Sequence, residues 1–216
     1  MMFFRSILSK VFMRVLVGTT AVAGQSMVQD DILQETSFID LSDQLPSDIP
    51  KGERFKDVSK VDGLIGHHSA TKAWSFKRVA EFHSFVRGWG TISYDWGVNW
   101  EGVIYKLKDQ NLLGYHASGW NRDSFSIVLL GNFSEAIPTK EMKKGFHTII
   151  TYAFNKYQLS YFLLHTTAKR YQEDKYTECP GVRAFSFMSP YEFDSRDYPD
   201  RIEDLSPIPK NRFLSD

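Results

Sequence analysis

Short apolar segments alternate with amphipathic helical segments between residues 61 and 187. The run Gly63–Gly66 leads into His67 and His68, and the runs Phe125–Leu130 and Tyr161–Leu164 are similarly apolar. Each has the length and composition of a buried strand. Strands that alternate with helices build an α/β domain, in which the helices pack on a central sheet. We therefore predict a central mixed β-sheet flanked by helices.

Two helices are predicted between these strands. The first covers about 75–86 and stops at Gly88-Trp89-Gly90. The second begins after Thr139, a good N-cap residue, and carries an apolar stripe at spacings of three and four. That stripe consists of Met142, Phe146, Ile149, Ile150, Ala153, Phe154 and Tyr157. A hairpin around Trp100-Glu101-Gly102 is predicted to join two further strands, 93–99 and 103–107.

The segments outside 61–187 lack such periodicity. Residues 24–60 are polar and rich in Asp, Ser, Gln and Pro, which predicts a leader or linker. Residues 188–216 contain four prolines and alternating charges, which predicts an irregular C-terminal extension.

The first 23 residues are basic, with Arg5, Lys10 and Arg14 and no acidic residue. The weakly apolar run Val15–Ala23 follows, and Ala21-Val22-Ala23 precedes Gly24 as in a secretory cleavage site. This pattern predicts an exported protein, periplasmic or extracellular, although an amphipathic N-terminal helix is the alternative. Later in the chain, no stretch approaches the roughly 20 apolar residues of a membrane span.

The formal net charge is zero, with 26 basic and 26 acidic side chains. A nucleic-acid partner held by bulk positive charge is therefore not expected. The hydrophobic fraction of 42% is sufficient for a packed core.

Two histidines, His67 and His165, each follow a short apolar strand. Because sites in α/β sheets form at strand ends, both imidazoles are expected in one cleft if these strands are neighbours. The single cysteine, Cys179, lies in the polar segment Thr177–Gly181 and would supply a third ligand. Two imidazoles and a thiolate suit Zn²⁺. The alternatives are that Cys179 is a small buried apolar residue and that the histidines belong to the core.

Four short sequence motifs occur in a set order along the chain. They are Gly66-His67-His68-Ser69-Ala70-Thr71-Lys72, then Ser93-Tyr94-Asp95-Trp96, then 115–127, and finally Leu164-His165 with Thr177-Glu178-Cys179-Pro180-Gly181. This order resembles the type 2 N-acetylmuramoyl-L-alanine amidases, which include bacteriophage amidases and the peptidoglycan recognition proteins of animals. The resemblance covers about residues 60–187.

The resemblance implies a zinc site formed by His67, His165 and Cys179, in a cleft at the strand ends. His68 would face away, because side chains alternate along a strand. The resemblance also places Tyr94 near the metal, where its hydroxyl would orient water or stabilise an oxyanion, with a modest contribution from Thr177.

Three further residues are implied to bind substrate: His116, Trp120 and Asn121, which would line a groove for glycan and peptide. His83 and His147 lie on the two predicted helices and are expected to be structural or exposed. The charged loop between His165 and Cys179 is longer than in short phage members, which would reshape one wall of the groove. Asp95 stands where His or Asn is commoner.

The implied function is zinc-dependent hydrolysis of the amide between N-acetylmuramic acid and L-alanine in peptidoglycan, by a monomer. One alternative is a peptidoglycan-binding protein without activity. A second is a zinc peptidase acting on the stem peptide, and a third is a structural protein.

Overall fold

A computed structural model describes residues 37–49, 54–171 and 176–194 of the protein. The strands are β1 Ile39–Asp40, β2 Gly63–His68, β3 Trp96–Val98, β4 Ile104–Lys106, β5 Ser124–Leu129, β6 Tyr161–Leu164 and β7 Phe193–Asp194. The α-helices are α1 Phe76–Glu81, α2 Lys140–Tyr157, α3 His165–Arg170 and α4 Val182–Met188. Within these residues the strands form one mixed sheet in the order β1-β4-β3-β5-β2-β6-β7.

The centre of the sheet is parallel. Strand β2 lies between β5 and β6, and Gly63 is in register with both Ser124 and Tyr161. Every residue of these three strands is buried. Central parallel strands have both faces covered, and this is why their sequences are almost continuously apolar. The predicted α/β fold with a central mixed sheet is confirmed.

The two faces of the sheet are covered by different helices. Leu64 and Phe162 belong to the same buried cluster as Phe146 of α2. On the opposite face, Ile65 packs in a cluster with Ala168 of α3. Residue 67 has the same parity as residue 65, so His67 and His68 lie on opposite faces of β2.

Both predicted helices begin after a capping hydroxyl, of which Thr139 was predicted as a cap. The Ser75 hydroxyl accepts a hydrogen bond from the Arg78 amide before α1, which continues into a π-helical turn at Phe82–Val86. The Thr139 hydroxyl accepts one from the Met142 amide at 3.0 Å before α2. The apolar stripe of α2 packs on the sheet, with Met142, Phe146, Ile149 and Ala153 buried. Both helices and this stripe confirm the prediction.

The hairpin is also observed, since β3 and β4 pair antiparallel through a turn at Gly102, where φ is 78°. Helix α2 approaches this turn closely. A Cβ atom on Gly145 would lie 2.7 Å from the Gly102 carbonyl oxygen, so the contact requires glycine.

Some short elements differ from the expectation. Residues 165–170 form helix α3 instead of a loop, because tertiary packing buries Ala168. Within the tail expected to be irregular, Ser189–Tyr191 forms a 3₁₀ turn and β7 pairs antiparallel with β6. Strand β1, inside the expected linker, pairs with β4. Two-residue strands have no periodicity to detect, so only their partners define them.

The predicted signal at 1–23 and the extension beyond Asp194 lie outside the described residues. Among the helices that are described, none combines the length and apolarity that crossing a membrane requires.

Candidate metal centre and cleft

Parallel pairing of β2 and β6 brings His67 and His165 together. Gly66 is in register with Leu164, and each histidine is the next residue of its chain. The two ring centroids are 4.6 Å apart. His67 is almost wholly buried, whereas His165 is partly exposed at the start of α3. The register of the sheet thus positions two of the three candidate metal ligands.

Cys179 enters from the loop between α3 and α4. Its sulfur lies 3.6 Å from Nδ1 of His67, and it accepts a hydrogen bond from the His68 amide at 3.4 Å. The Cys179 carbonyl accepts from the Thr166 amide, which ties the loop to α3. Potential ligand atoms of His67, His165 and Cys179 all lie within 4.8 Å of one another. The structure therefore brings the three predicted ligands together.

The segment around Phe133 supports this loop from the other face of the sheet. Nδ1 of His68 accepts a hydrogen bond from the Phe133 amide, and the Phe133 carbonyl accepts one from the Arg183 amide. Gly181 adopts φ 85°, and a Cβ atom there would lie 2.4 Å from the Phe133 carbonyl carbon. His68 thus faces away from His67, as predicted, and has a structural hydrogen bond.

The chemistry of the three side chains fits a zinc ion. Tetrahedral nitrogen and sulfur ligands of zinc lie about 3.5 Å apart, given Zn–N of about 2.0–2.1 Å and Zn–S of about 2.3 Å. Burial lowers the pKa of His67 well below its usual value and that of His165 to about 4, so both rings are neutral and have a free lone pair. Burial raises the Cys179 pKa to about 12, which leaves the thiolate dependent on a nearby cation. Nε2 of His165 is buried and has no hydrogen-bond partner among the described residues.

Tyr94 and Thr177 lie at the edges of this cluster. The Tyr94 ring centroid is 5.2 Å from that of His67, and burial raises the Tyr94 pKa, so its hydroxyl keeps its proton. The Thr177 hydroxyl accepts a hydrogen bond from the Cys179 amide at 3.2 Å. Its own proton is consequently free to be donated elsewhere.

The cluster opens into a cleft of about 510 Å³. Its lining includes Tyr94, His116 and Thr177, which are neighbours of the candidate ligands. Other lining residues are Arg87, Trp89, Tyr115, Asn132, Glu135 and Glu178. His83 also lines it, and its buried ring accepts a hydrogen bond from the Ser93 amide at Nδ1, in agreement with the structural role expected for it. Aromatic, amide and charged groups thus line the cleft beside the candidate metal site.

Trp120 and Asn121 do not belong to the described lining. The Trp120 indole donates to the Ala168 carbonyl, and the Asn121 side-chain oxygen accepts from the Ala117 amide. Both side chains hold local backbone in place. Their role in substrate binding stays a prediction, as does that of His116.

His116 is 7% exposed and contacts a candidate ligand directly. Its Nδ1 lies 3.2 Å from Nε2 of His67, and its Nε2 lies 3.4 Å from the Ser124 hydroxyl. Burial lowers the pKa of His116 to about 3. Sequence patterns did not indicate this contact, because the residues are 49 positions apart.

A second cluster of buried charged groups is formed around Asp95. Asp95 is fully buried and accepts hydrogen bonds from Lys56, Lys108 and Ser126. Burial alone would raise the pKa of Asp95, but Lys108 and Lys56 hold it at about 2. Burial lowers the pKa of Lys56 to about 8. Asp95 between the aromatic residues Tyr94 and Trp96 was the only sequence signal for this cluster.

An α/β sheet with a His-His-Cys cluster at its strand ends defines a class of proteins with a candidate metal site. Within that class, residues 57–182 match the family model described as N-acetylmuramoyl-L-alanine amidase, and the chain belongs to this family.

Individual relatives agree with this assignment. Peptidoglycan-recognition protein LB of Drosophila melanogaster is 32% identical over 117 residues, which are 53% of this chain and 48% of that protein. This chain therefore spans about half the length of that relative. A solved mutant of Drosophila PGRP-LB in complex with tracheal cytotoxin is 27% identical, with a TM-score of 0.58 over 72% of this chain and 96% of that chain. The endolysin amidase LysCS from Clostridium intestinale URNW, 23% identical, shares the fold with a TM-score of 0.60 over 71% of this chain and 93% of that chain.

Proposed function

We propose that this protein is a zinc-dependent N-acetylmuramoyl-L-alanine amidase that cleaves the bond between N-acetylmuramic acid and L-alanine in peptidoglycan. The observation that carries the proposal is the convergence of His67, His165 and Cys179, of which His165 and Cys179 line the cleft. A protein that only binds peptidoglycan does not need these three metal ligands, whereas a zinc amidase needs them for catalysis. Membership of the amidase family supports the same reaction.

A zinc ion held by His67, His165 and Cys179 would supply Lewis-acid chemistry, lowering the pKa of water and polarising a carbonyl. The reaction is attack of water on the lactyl carbonyl carbon of muramic acid. Breaking the amide C–N bond then leaves a carboxylate on the sugar and an amino group on L-alanine. The cleft residues must therefore hold the carbonyl and stabilise negative charge on its oxygen.

Tyr94 is the candidate donor to that oxygen. Its phenol stays protonated because burial raises its pKa, and a hydrogen bond donated to a developing oxyanion strengthens as charge accumulates. The Thr177 hydroxyl is a second donor, positioned by the hydrogen bond it accepts from Cys179. Being neutral, both groups contribute less than a lysine would.

A binding role without catalysis is the second candidate. It is favoured by the similarity to peptidoglycan-recognition protein LB, whose mutant has been solved with tracheal cytotoxin bound. The same cleft would then hold a muropeptide without cleaving it. A stem-peptide peptidase using the same residues is the third candidate.

The deciding experiment measures zinc content and products together. The full chain, Cys179→Ser and the control His147→Gln on α2 are purified, and zinc is determined by mass spectrometry. Each protein is then incubated with purified muropeptides. We expect about one zinc per chain in the parent and in the control, and loss of that zinc in Cys179→Ser. We also expect the parent and the control to release free lactyl carboxylates and intact stem peptides.

Other outcomes select the alternatives. Bound muropeptide without products would establish the binding role, and new amino groups inside the stem would establish a peptidase. Export is part of the proposal, since intact cell wall lies outside the cytoplasm. A monomer is expected, and sedimentation of the purified chain tests it.

A further inference from the structure

A hydrogen-bonded chain of four polar groups starts at the candidate metal site, and three of these groups belong to the buried residues His67, His116 and Ser124. It begins at His67, whose Nδ1 faces the Cys179 sulfur and whose Nε2 lies 3.2 Å from Nδ1 of His116. Nε2 of His116 lies 3.4 Å from the Ser124 hydroxyl. That hydroxyl donates to the Trp120 carbonyl oxygen at 2.6 Å, where the chain ends.

The last member determines the direction of every hydrogen bond in the chain. A carbonyl oxygen only accepts, so the single proton of the Ser124 hydroxyl points at Trp120. The hydroxyl must then accept from Nε2–H of His116. A neutral His116 with its proton on Nε2 has a bare Nδ1, which accepts from Nε2–H of His67. Nδ1 of His67 is thereby left with its lone pair directed toward the Cys179 sulfur.

We infer that His116 is a positioning residue that, together with Ser124, selects the metal-binding tautomer of His67 and holds its ring in place. The inference rests on the metal site proposed above and assigns His116 a role different from substrate binding. Ligating histidines generally donate their second ring N–H to a fixed acceptor, and losing that acceptor typically lowers metal affinity about 10- to 100-fold. In most such sites the acceptor is a carboxylate or a carbonyl. Here an imidazole fills that place.

The surroundings leave few other arrangements for His116. Its ring is 7% exposed, and the ring centroids of His67 and His116 are 5.3 Å apart at 89°. A ring flip of His116 would exchange carbon for nitrogen at both contacts. Two hydrogen bonds would then be lost in a buried site, which is costly.

The test compares two substitutions of His116. His116→Asn keeps an amide oxygen able to accept near the position of Nδ1, whereas His116→Leu has no acceptor. Zinc affinity is measured by competition with a chromophoric chelator, and cobalt substitution reports ligand geometry through the thiolate-to-cobalt absorption. We expect a loss of about 10- to 100-fold with altered cobalt bands for His116→Leu and a loss of less than about tenfold for His116→Asn.

A matched pair on β5 provides the control. Ser124→Ala removes the hydroxyl that accepts from His116, and we expect a several-fold loss of zinc affinity. Ser126→Ala makes the same change two residues away, at an equally buried hydroxyl that bonds to Asp95. It should leave zinc affinity unchanged. Equal affinities for Ser124→Ala and Ser126→Ala would contradict the inference.

A measurement on the metal-free protein separates this inference from the proposed function. Long-range ¹H–¹⁵N correlation spectra distinguish protonated from bare imidazole nitrogens. We expect His116 to carry its proton on Nε2 and His67 on Nε2. A proton on Nδ1 of His116 would overturn the inference even if zinc binds. Failure of the parent protein to bind zinc would instead overturn the proposed metal site, whichever tautomer is found.

Discussion

The sulfur of Cys179 lies 3.6 Å from Nδ1 of His67, although 112 positions separate the two residues in the chain. This distance is close to the roughly 3.5 Å between nitrogen and sulfur ligands of one tetrahedral zinc. Hydrogen bonds from the His68 amide to the sulfur and from the Thr166 amide to the Cys179 carbonyl hold the loop there. This pair would therefore need little rearrangement to hold a metal ion.

Zinc should stabilise the folded protein. Because the ligands are brought together only by folding, zinc at 100 times its Kd should add about 2.7 kcal/mol to the free energy of unfolding. Thermal unfolding with and without zinc measures the gain. Cys179→Ser should gain far less, while His147→Gln should match the parent. An equal rise in Tm for Cys179→Ser would mean that the ion binds elsewhere.

Replacing Tyr94 with phenylalanine should separate catalysis from metal binding. The ring and its contact with His67 remain, but the hydroxyl that stabilises the oxyanion is lost. Removing such a donor lowers kcat about 10²- to 10³-fold. Thr177→Val, which removes a neutral donor, should cost up to about tenfold. Muropeptide kinetics and zinc content are measured on both variants; near-normal kcat in Tyr94→Phe would exclude the proposed role.

Removing the buried carboxylate of Asp95 should strongly destabilise the fold. Lys56 and Lys108 have side chains only 1% exposed, and Asp95 is their common counter-ion. An uncompensated buried charge costs about 3–5 kcal/mol, so Asp95→Asn should lower the free energy of unfolding by that amount. Asp109→Asn, at an exposed aspartate, should change it by less than about 0.5 kcal/mol. Urea unfolding of the three proteins provides the measurement.

The same carboxylate should make stability sensitive to acid. The pKa of Asp95 is about 2 in the folded protein and 3.8 as its ordinary value. The unfolded chain therefore binds this proton first as the pH falls. The stabilisation is complete above pH 3.8 and is lost between about pH 3.8 and 2. Urea midpoints across this range should fall less steeply in Asp95→Asn than in the parent; parallel slopes would show that other groups dominate.

Two glycine substitutions should differ sharply. Gly181 and Gly88 both have positive φ, at 85° and 65°. A Cβ atom at Gly181 would meet the Phe133 backbone at 2.4 Å, whereas one at Gly88 has nothing within 4 Å. Gly88→Ala should cost about 1 kcal/mol of backbone strain and leave zinc affinity intact. Gly181→Ala should also displace the Cys179 loop and weaken zinc binding, as chelator competition would show.

Local patterns in the sequence determined the main elements. Strand 63–68, the apolar stripe of α2 and the Thr139 cap depend on neighbours within a few residues, so periodicity and capping rules predict them. The order of four sequence motifs likewise indicated the ligands His67, His165 and Cys179, which the structure brings within reach of one ion.

Tertiary structure alone decided what depends on distant partners. The position of β2 between β5 and β6 places the two histidines side by side, and strand order leaves no local trace in a sequence. The two-residue strands β1 and β7 exist only through their pairing with β4 and β6. The hydrogen bond between His116 and His67 and the ion pairs of Asp95 with Lys56 and Lys108 also form only in the folded chain. A buried polar group needs a hydrogen-bond partner. That partner is the group that the fold places next to it, however far apart the two residues lie in the sequence.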